Sequence, residues 1–267
     1  MDFKKFAGSE GHPTIRVEGL TVRYGDNTVL ENVSFEVNPG EIFVIMGGSG
    51  CGKSTLLKNI IGIETPAEGR IWINGTDTGQ LDEGELRKLH MGIGMLFQSS
   101  ALFGSMTIGE NIALPLTEFT ELAQEEIMSI VKMKLGMVEL AGYDDHYPSE
   151  ISGGMKKRSG IARAMALDPA MLFLDEPSAG LDPVASAELD LIIKKLNEGI
   201  GTTMVIVTHD LETILSISHR IIMLDKEAKG IIAEGDPREL KTGSEDPRVR
   251  NFFNRRISGR KNEGIRT

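Results

Sequence analysis

The sequence predicts an α/β fold built on a parallel sheet, and two observations lead to this prediction. First, residues 41–46, 171–174 and 203–207 are short, almost continuous apolar runs, which is typical of strands that are buried on both faces. Second, the last two runs each follow a stretch with apolar residues at helical spacing. Helix and strand therefore alternate along the chain, as they do in parallel sheets covered by helices.

The other elements follow in chain order. Residues 14–37 alternate apolar and polar side chains, which predicts antiparallel strands with one solvated face. Between residues 98 and 167 the strand pattern stops and apolar residues recur at helical spacing, which indicates an inserted helical subdomain. Residues 221–224 and 230–235 are predicted as short strands that close the core. We therefore interpret residues 1–267 as a single domain.

The end of the chain is predicted to lie outside that core. Residues 243–247 resemble a linker, so we interpret residues 241–267 as a C-terminal extension, with residues 248–267 as an appendage. Its arginines and aromatic residues would suit docking on a partner subunit or contact with anionic headgroups. A solvated, disordered end is an equally good interpretation of the same composition.

Composition narrows the classes of function. The formal net charge of −10 disfavours sequence-independent binding of nucleic acid, which depends on basic side chains that neutralise phosphates. No apolar run reaches the roughly 20 residues that a membrane helix needs, and Met1 to Phe6 does not resemble a secretory signal. With Cys51 as the single cysteine, we expect a protein of the reducing cytosol.

A glycine-rich loop directly follows the predicted buried strand at residues 41–46. It fits the pattern G-x-x-x-x-G-K-[ST] and precedes a helical run that we place from Thr55. Glycines let successive N–H groups point at a phosphate, and the helix N-terminus adds partial positive charge. Lys53 would reach the β and γ phosphates, and Ser54 would bind Mg²⁺. The predicted ATP-binding residues of this loop are Gly47, Gly48, Ser49, Gly50, Cys51, Gly52, Lys53, Ser54 and Thr55.

Two adjacent acids, Asp175 and Glu176, follow the apolar run at residues 171–174. Ligands of parallel sheets lie at the carboxyl ends of the strands, so both carboxylates are expected at the same sheet edge as the loop. Asp175 would face the metal, and Glu176 would act as the general base on the attacking water. Taken alone, the pair would fit a solvated turn equally well.

In this order, the motifs resemble those of the ABC ATPases over nearly the whole chain. The run from Ile151 to Met155 resembles the family signature, and Tyr24 matches the aromatic residue that stacks on adenine. The remaining matches, to the Q-loop, the signature serine and glycines, the D-loop and the switch histidine, are Gln98, Ser152, Gly153, Gly154, Asp182 and His209. The resemblance implies an ABC-type P-loop NTPase core with a RecA-like parallel sheet, an antiparallel β subdomain and the inserted helical subdomain.

The same resemblance implies that ATP and Mg²⁺ are the cofactors, that Gln98 also contacts the metal, and that Glu176, His209 and Gln98 are catalytic. It also implies a homodimer, in which Ser152 of one copy grips the γ-phosphate on the Lys53 loop of the other. Physically, a serine before two glycines at a helix start suits an anion. By itself, however, Ser-Gly-Gly more often forms an ordinary turn.

Met155 stands where most of the family has glutamine, and in this the chain resembles the ATPases of the Mla phospholipid transporters. That resemblance implies phospholipid transport through an MlaE-type membrane permease, with the chain held peripherally at the cytoplasmic face of the inner membrane. It leaves room for small STAS-domain and lipid-binding MCE-domain subunits. Leu102, Phe103 and Met106 are expected at a groove for the permease. The alternatives are the ATPase of a polar amino-acid importer and a soluble, non-transport ABC ATPase.

Overall fold

The computed structural model describes residues 13–254, and within them the strands form two sheets. The first is antiparallel, with the order β2-β1-β4-β5. The second has the order β10-β9-β3-β8-β7-β6 and is parallel except for β10 at one edge. The strands are β1 Ile15–Tyr24, β2 Asn27–Val37, β3 Ile42–Gly47, β4 Glu68–Ile73, β5 Thr76–Asp77, β6 Ile93–Leu96, β7 Met171–Asp175, β8 Thr203–Val207, β9 Arg220–Asp225 and β10 Gly230–Gly235.

Helices flank the sheets, and three of them lie between β6 and β7 in the chain. No helix within residues 13–254 combines the length and the apolar character that crossing a membrane requires. The helices are α1 Lys53–Ile60, α2 Glu83–Met91, α3 Ile108–Phe119, α4 Gln124–Met137, α5 Gly153–Ala164, α6 Pro183–Ile200, α7 Leu211–Ile217, α8 Pro237–Gly243 and α9 Pro247–Phe253.

Polar side chains fix where several helices begin. The Thr107 hydroxyl accepts a hydrogen bond from the backbone N–H of Glu110 at the start of α3, and the Glu110 carboxylate accepts one from the backbone N–H of Thr107. Ser152 caps α5 through the N–H of Met155, and Asp182 caps α6 just before Pro183. These side chains satisfy N–H groups that have no partner within the helix. The capping side chains thereby define where α3, α5 and α6 begin.

The strand β3 shows why the predicted apolar run is continuous. Its successive side chains point to opposite faces of the sheet, and all of them are buried. Ile42, Val44 and Met46 pack with the helices of the segment between β6 and β7, whereas Phe43 and Ile45 pack with the antiparallel sheet and α1. A core on each face leaves no solvated side, which confirms the predicted α/β fold.

The prediction that residues 248–267 form an appendage is wrong for α9. Val249 and Phe253 lie one turn apart on the same face of α9, both are buried, and they belong to the larger core cluster. Arg248 is also anchored, because it forms ion pairs with Asp225 and Asp246. A polar linker at residues 243–247 thus leads back to the core. Arg250 is exposed on α9. The other basic residues of the predicted docking tail, Arg255, Arg256, Arg260, Lys261 and Arg266, lie outside the described residues.

Candidate active site

The glycine-rich loop connects β3 to α1 and requires glycine at its first position. Gly47 has a φ of +149°, and a Cβ atom there would lie 2.4 Å from the carbonyl oxygen of Leu224 on β9. Gly52 adopts the left-handed conformation as the N-cap of α1. The helix therefore begins at Lys53, two residues before the predicted Thr55, and its free N–H groups face the loop.

Lys53 turns back over this loop. Its Nζ donates to the carbonyl oxygens of Gly47 at 3.0 Å and of Gly48 at 3.1 Å. An ammonium held at the mouth of a ring of N–H groups is well placed to bind phosphate oxygens. Cys51 belongs to the loop, and its side chain is buried in the core cluster beside the antiparallel sheet. Burial raises the pKa of its thiol.

Ser54 and Asp175 form a pair of oxygen donors between α1 and the end of β7. The Ser54 hydroxyl donates to the Asp175 carboxylate over 3.3 Å. Burial raises the pKa of Asp175, and this hydrogen bond opposes the increase. Hydroxyl and carboxylate oxygens are ligands that Mg²⁺ prefers, and a cation would offset the cost of burying the charge. The two residues therefore fit the predicted metal.

Glu176 and His209 meet at the ends of β7 and β8. Their side chains lie 2.8 Å apart between His209 Nδ1 and a Glu176 carboxylate oxygen. The Thr208 hydroxyl donates to the other carboxylate oxygen over 3.4 Å. Glu176 has a φ of 48°, a backbone conformation that residues other than glycine rarely adopt outside functional sites. The carboxylate is thus held from two sides.

Lys53, Ser54, Glu176 and His209 border one cleft of about 870 Å³. The cleft is open to solvent, and both the loop and the ends of β7 and β8 contribute to it. Its lining comprises Gly47, Gly48, Ser49, Gly50, Lys53, Ser54, Gln98, Glu176, Ser178, Ala179, Gly180, His209, Asp210, Leu211 and Phe252. Most of the predicted phosphate-binding and catalytic residues are therefore gathered at one sheet edge.

Other predicted site residues do not line the cleft. Among the described residues, the cleft lining does not include Tyr24, Cys51, Gly52, Thr55, Ser152, Gly153, Gly154, Asp175 or Asp182. Ser152 is exposed at the start of α5, and Asp182 is engaged as the cap of α6. Tyr24 is half exposed, and its hydroxyl contacts the Glu64 carboxylate, which raises the pKa of the phenol.

The structure adds site residues that the sequence patterns did not indicate. Thr208 holds Glu176, and its position directly before His209 at the end of an apolar strand was the available signal. Phe252, on the helix α9 predicted to be an appendage, lines the cleft near His209. No local pattern predicts that contact, because it depends on how α9 packs.

A phosphate loop, a half-buried pair of carboxylates and a histidine at one edge of a parallel sheet define a P-loop nucleoside triphosphatase. The ABC transporter family model matches residues 30–179. The chain is 42% identical over 240 residues to the "intermembrane phospholipid transport system ATP-binding protein MlaF" of Haemophilus influenzae, which covers 90% of this chain and 89% of that protein. It is also 42% identical to the "probable ribonucleotide transport ATP-binding protein mkl" of Mycobacterium bovis, covering 95% and 70%.

Solved structures of ATP-binding cassettes are similar to the chain in fold. A dimeric ATP-binding cassette in a post-hydrolysis state with ADP and Pi has a TM-score of 0.75 and 34% identity, covering 83% of this chain and 98% of that one. The cassette cbiO1 of Clostridium perfringens has a TM-score of 0.80 and 29% identity, covering 86% and 91%. The chain belongs to the ABC transporter family. It is a transporter subunit that binds and hydrolyses ATP.

Proposed function

We propose that two copies of the chain bind two Mg·ATP between them and power phospholipid transport through a separate membrane permease. The proposal of phospholipid as the cargo rests on the match to the Haemophilus protein, which extends over about nine tenths of both chains. Dimeric neighbours of known structure support the pairing. Docking on a permease would place the chain peripherally at the cytoplasmic face of the inner membrane.

Each residue of the cleft has a role in this proposal. Lys53 and the loop N–H groups bind the phosphates, because they present an ammonium and aligned dipoles to the anion. Ser54, Asp175 and Gln98 would hold Mg²⁺, which would neutralise phosphate charge. Glu176 takes a proton from the attacking water, and His209, beside it, contacts the γ-phosphate.

The second copy would supply what the first lacks. Ser152 is exposed where the free N–H groups of α5 begin, with Gly153 and Gly154 following. An anion is the natural partner of such a helix end, yet the chain's own cleft does not extend to Ser152. A head-to-tail pair would bring this end, with Asp182 nearby, onto the nucleotide held by the partner's loop. Tyr24 would stack on the adenine.

The permease would dock between the core and the helical segment, for which we propose the bounds 98–167. A groove of about 360 Å³ lies beside β6, and the partly exposed Phe97 and Phe119 contribute to its lining. Phe103 is half exposed and Leu102 packs partly against the core. Among the described residues, the lining of this groove does not include the predicted Leu102, Phe103 or Met106. Exposed aromatic side chains around a groove are suited to a partner helix.

The mkl relatives favour a second candidate, ribonucleotide transport, because their printed name gives that cargo. Purification of the tagged full-length chain with its membrane partners in mild detergent would distinguish phospholipid transport from ribonucleotide transport. An MlaE-type permease with MCE-domain and STAS-domain subunits should co-purify, and the reconstituted complex should move labelled phospholipid only with ATP. Movement of a ribonucleotide, or recovery of an amino-acid receptor, would overturn the phospholipid assignment.

A further inference from the structure

Lys157 is a buried cation in the first half of α5. Only 5% of the residue is exposed, and it is not among the described residues that line the cleft. Burying an ammonium is unfavourable unless acceptors replace the lost water. Lys157 lies on the buried side of α5, two residues after Met155 of the signature motif. Its contacts must therefore supply the acceptors that replace water.

Those contacts join two residues of the proposed site. Lys157 Nζ donates to the backbone carbonyl of Gln98 at 2.6 Å and to that of Glu176 at 3.1 Å. Gln98 follows β6 and Glu176 follows β7, which are neighbouring strands. A single ammonium on α5 thus connects both strand ends to the helix whose N-terminus carries Ser152.

The backbone held in this way is locally unusual. Glu176, Ser100 and Ala101 all have positive φ angles, of 48°, 62° and 48°. Residues other than glycine keep such conformations only where their surroundings impose them. Arg163, further along α5, donates to the carbonyls of Ser100 at 3.0 Å and Ala101 at 2.6 Å. Two cations of one helix therefore hold both strained segments through backbone oxygens.

The helix lies close enough for these contacts because of Gly160. A Cβ atom at Gly160 would lie 2.6 Å from the Leu96 side chain at the end of β6. Burial lowers the pKa of Lys157, while the carboxylates of Glu176 and Asp175 oppose this and favour the charged form. The contact between α5 and the two strand ends is therefore tight and charge-assisted.

We infer that Lys157 is a positioning residue for ATP hydrolysis: it fixes the backbone of Glu176 and Gln98 and ties both to the helix that begins at Ser152. The inference rests on the proposed roles of Glu176 and Gln98. Because a helix moves as a unit, a phosphate bound at the start of α5 in the dimer would act on the general base through Lys157. Lys157 itself does not touch the nucleotide.

The test compares variants of the full-length chain. Lys157→Met keeps the length and apolar stem of the side chain but removes the ammonium. We expect kcat for ATP to fall about 10-fold to 100-fold, as misplacement of a catalytic group does, while KM for ATP stays within about twofold. Lys157→Arg retains donors for both carbonyls and should restore most of the rate. Lys156→Met, at the half-buried preceding position, is the matched control and should behave as wild type.

A double-mutant cycle separates positioning from folding. In a Glu176→Gln background, Lys157→Met should lower the residual rate no further, because the two changes act on the same step. If Lys157→Met does not fold, Lys157→Gln takes its place and must show the same loss of kcat at constant KM. A wild-type rate, or an equal loss of nucleotide affinity and rate, overturns the inference. Normal hydrolysis by Glu176→Gln would instead overturn the proposed role of Glu176.

Discussion

The loop end of the cleft and the signature end of α5 are both proposed to hold the same phosphate, but they differ in how they are built. At the loop end, Lys53 and Ser54 of α1 meet Gly47 of the loop and Asp175 of β7 within one chain. At the signature end, Ser152 is exposed, and the one side-chain hydrogen bond described for it caps its own helix. The fold therefore assembles the loop end within one chain and leaves the signature end exposed, as the proposed shared site requires.

The difference shows what a folded protomer can do alone. Lys53 lies over the loop of its own chain, so the proposal assigns binding of the triphosphate to this end. In the proposed pair, Ser152 would gain a phosphate only from the second copy. Since the commonest homo-oligomers are symmetric pairs, two exposed half-sites that face each other would form two complete sites. Binding should thus depend on one end and closure on the other.

The largest expected effect is on hydrolysis at the completed site. Glu176→Gln removes the carboxylate that His209 and Thr208 hold but keeps the shape of the side chain. We expect kcat to fall about 100-fold to 10,000-fold, as for loss of a general base, with ATP binding unchanged. Size-exclusion chromatography with ATP should show a trapped dimer. A variant that hydrolyses ATP at the normal rate would exclude Glu176 as the base.

The next effect separates the two ends directly. Lys53→Ala should weaken ATP binding to the protomer about 100-fold or more, because hydrogen bonds between charged groups contribute about 1.5–3 kcal/mol each. Ser152→Glu should leave protomer binding almost unchanged but prevent ATP-dependent dimerisation through charge repulsion. Calorimetry and light scattering measure the two properties. Equal loss of protomer binding in both variants would show that Ser152 acts within its own chain.

The third effect concerns α9, which contributes Phe252 to the cleft and Phe253 to the core. Phe253→Ala should lower the free energy of unfolding by about 3–5 kcal/mol, as expected for a buried phenylalanine. Phe252→Ala, at a half-buried position on the cleft, should cost less stability and alter nucleotide affinity instead. Urea unfolding and nucleotide titration of both variants provide the check. Similar stability losses would mean that α9 has no distinct cleft-facing side.

The smallest effect involves Asp190, which joins α6 to α7 behind the switch histidine. It accepts hydrogen bonds from Thr213 and Ser216, and burial raises its pKa from 3.8 to about 6, with Asp210 and Glu212 adding to the increase. Between those pH values the folded state binds more protons than the unfolded state, so raising the pH should lower the free energy of unfolding. The change should reach about 3 kcal/mol at most.

Denaturant unfolding from pH 4.5 to 7.5 measures this dependence. Asp190→Asn cannot titrate and should lack the decline that the wild type shows. Glu188→Gln, at an exposed position on the same helix, should keep it. If Asp190→Asn follows the wild-type curve, another group is responsible for the pH dependence.

The contrast between the two ends also explains what the sequence could predict. The loop and the acids after β7 follow apolar strands directly, so the alternation of helix and strand places them at one sheet edge. The burial of Val249 and Phe253 depends on the packing of α9 into the larger core cluster, and the polar linker before α9 gives no sign of that packing. Lys157 and Arg163 contact backbone oxygens, and no residue pattern along the chain reports such a contact.

Mixing two inactive variants tests the shared site most directly. Both chains carry Glu176→Gln to prevent hydrolysis; one also carries Lys53→Ala and the other Ser152→Glu. Each alone has no intact site, but a mixed pair joins the intact Lys53 loop of one copy to the intact Ser152 of the other. Random pairing makes half of the pairs mixed, and one of the two sites in each mixed pair is intact. The mixture should therefore trap ATP at about a quarter of the level of the Glu176→Gln protein. If the mixture traps no more ATP than the separate variants, the nucleotide is not held between two copies.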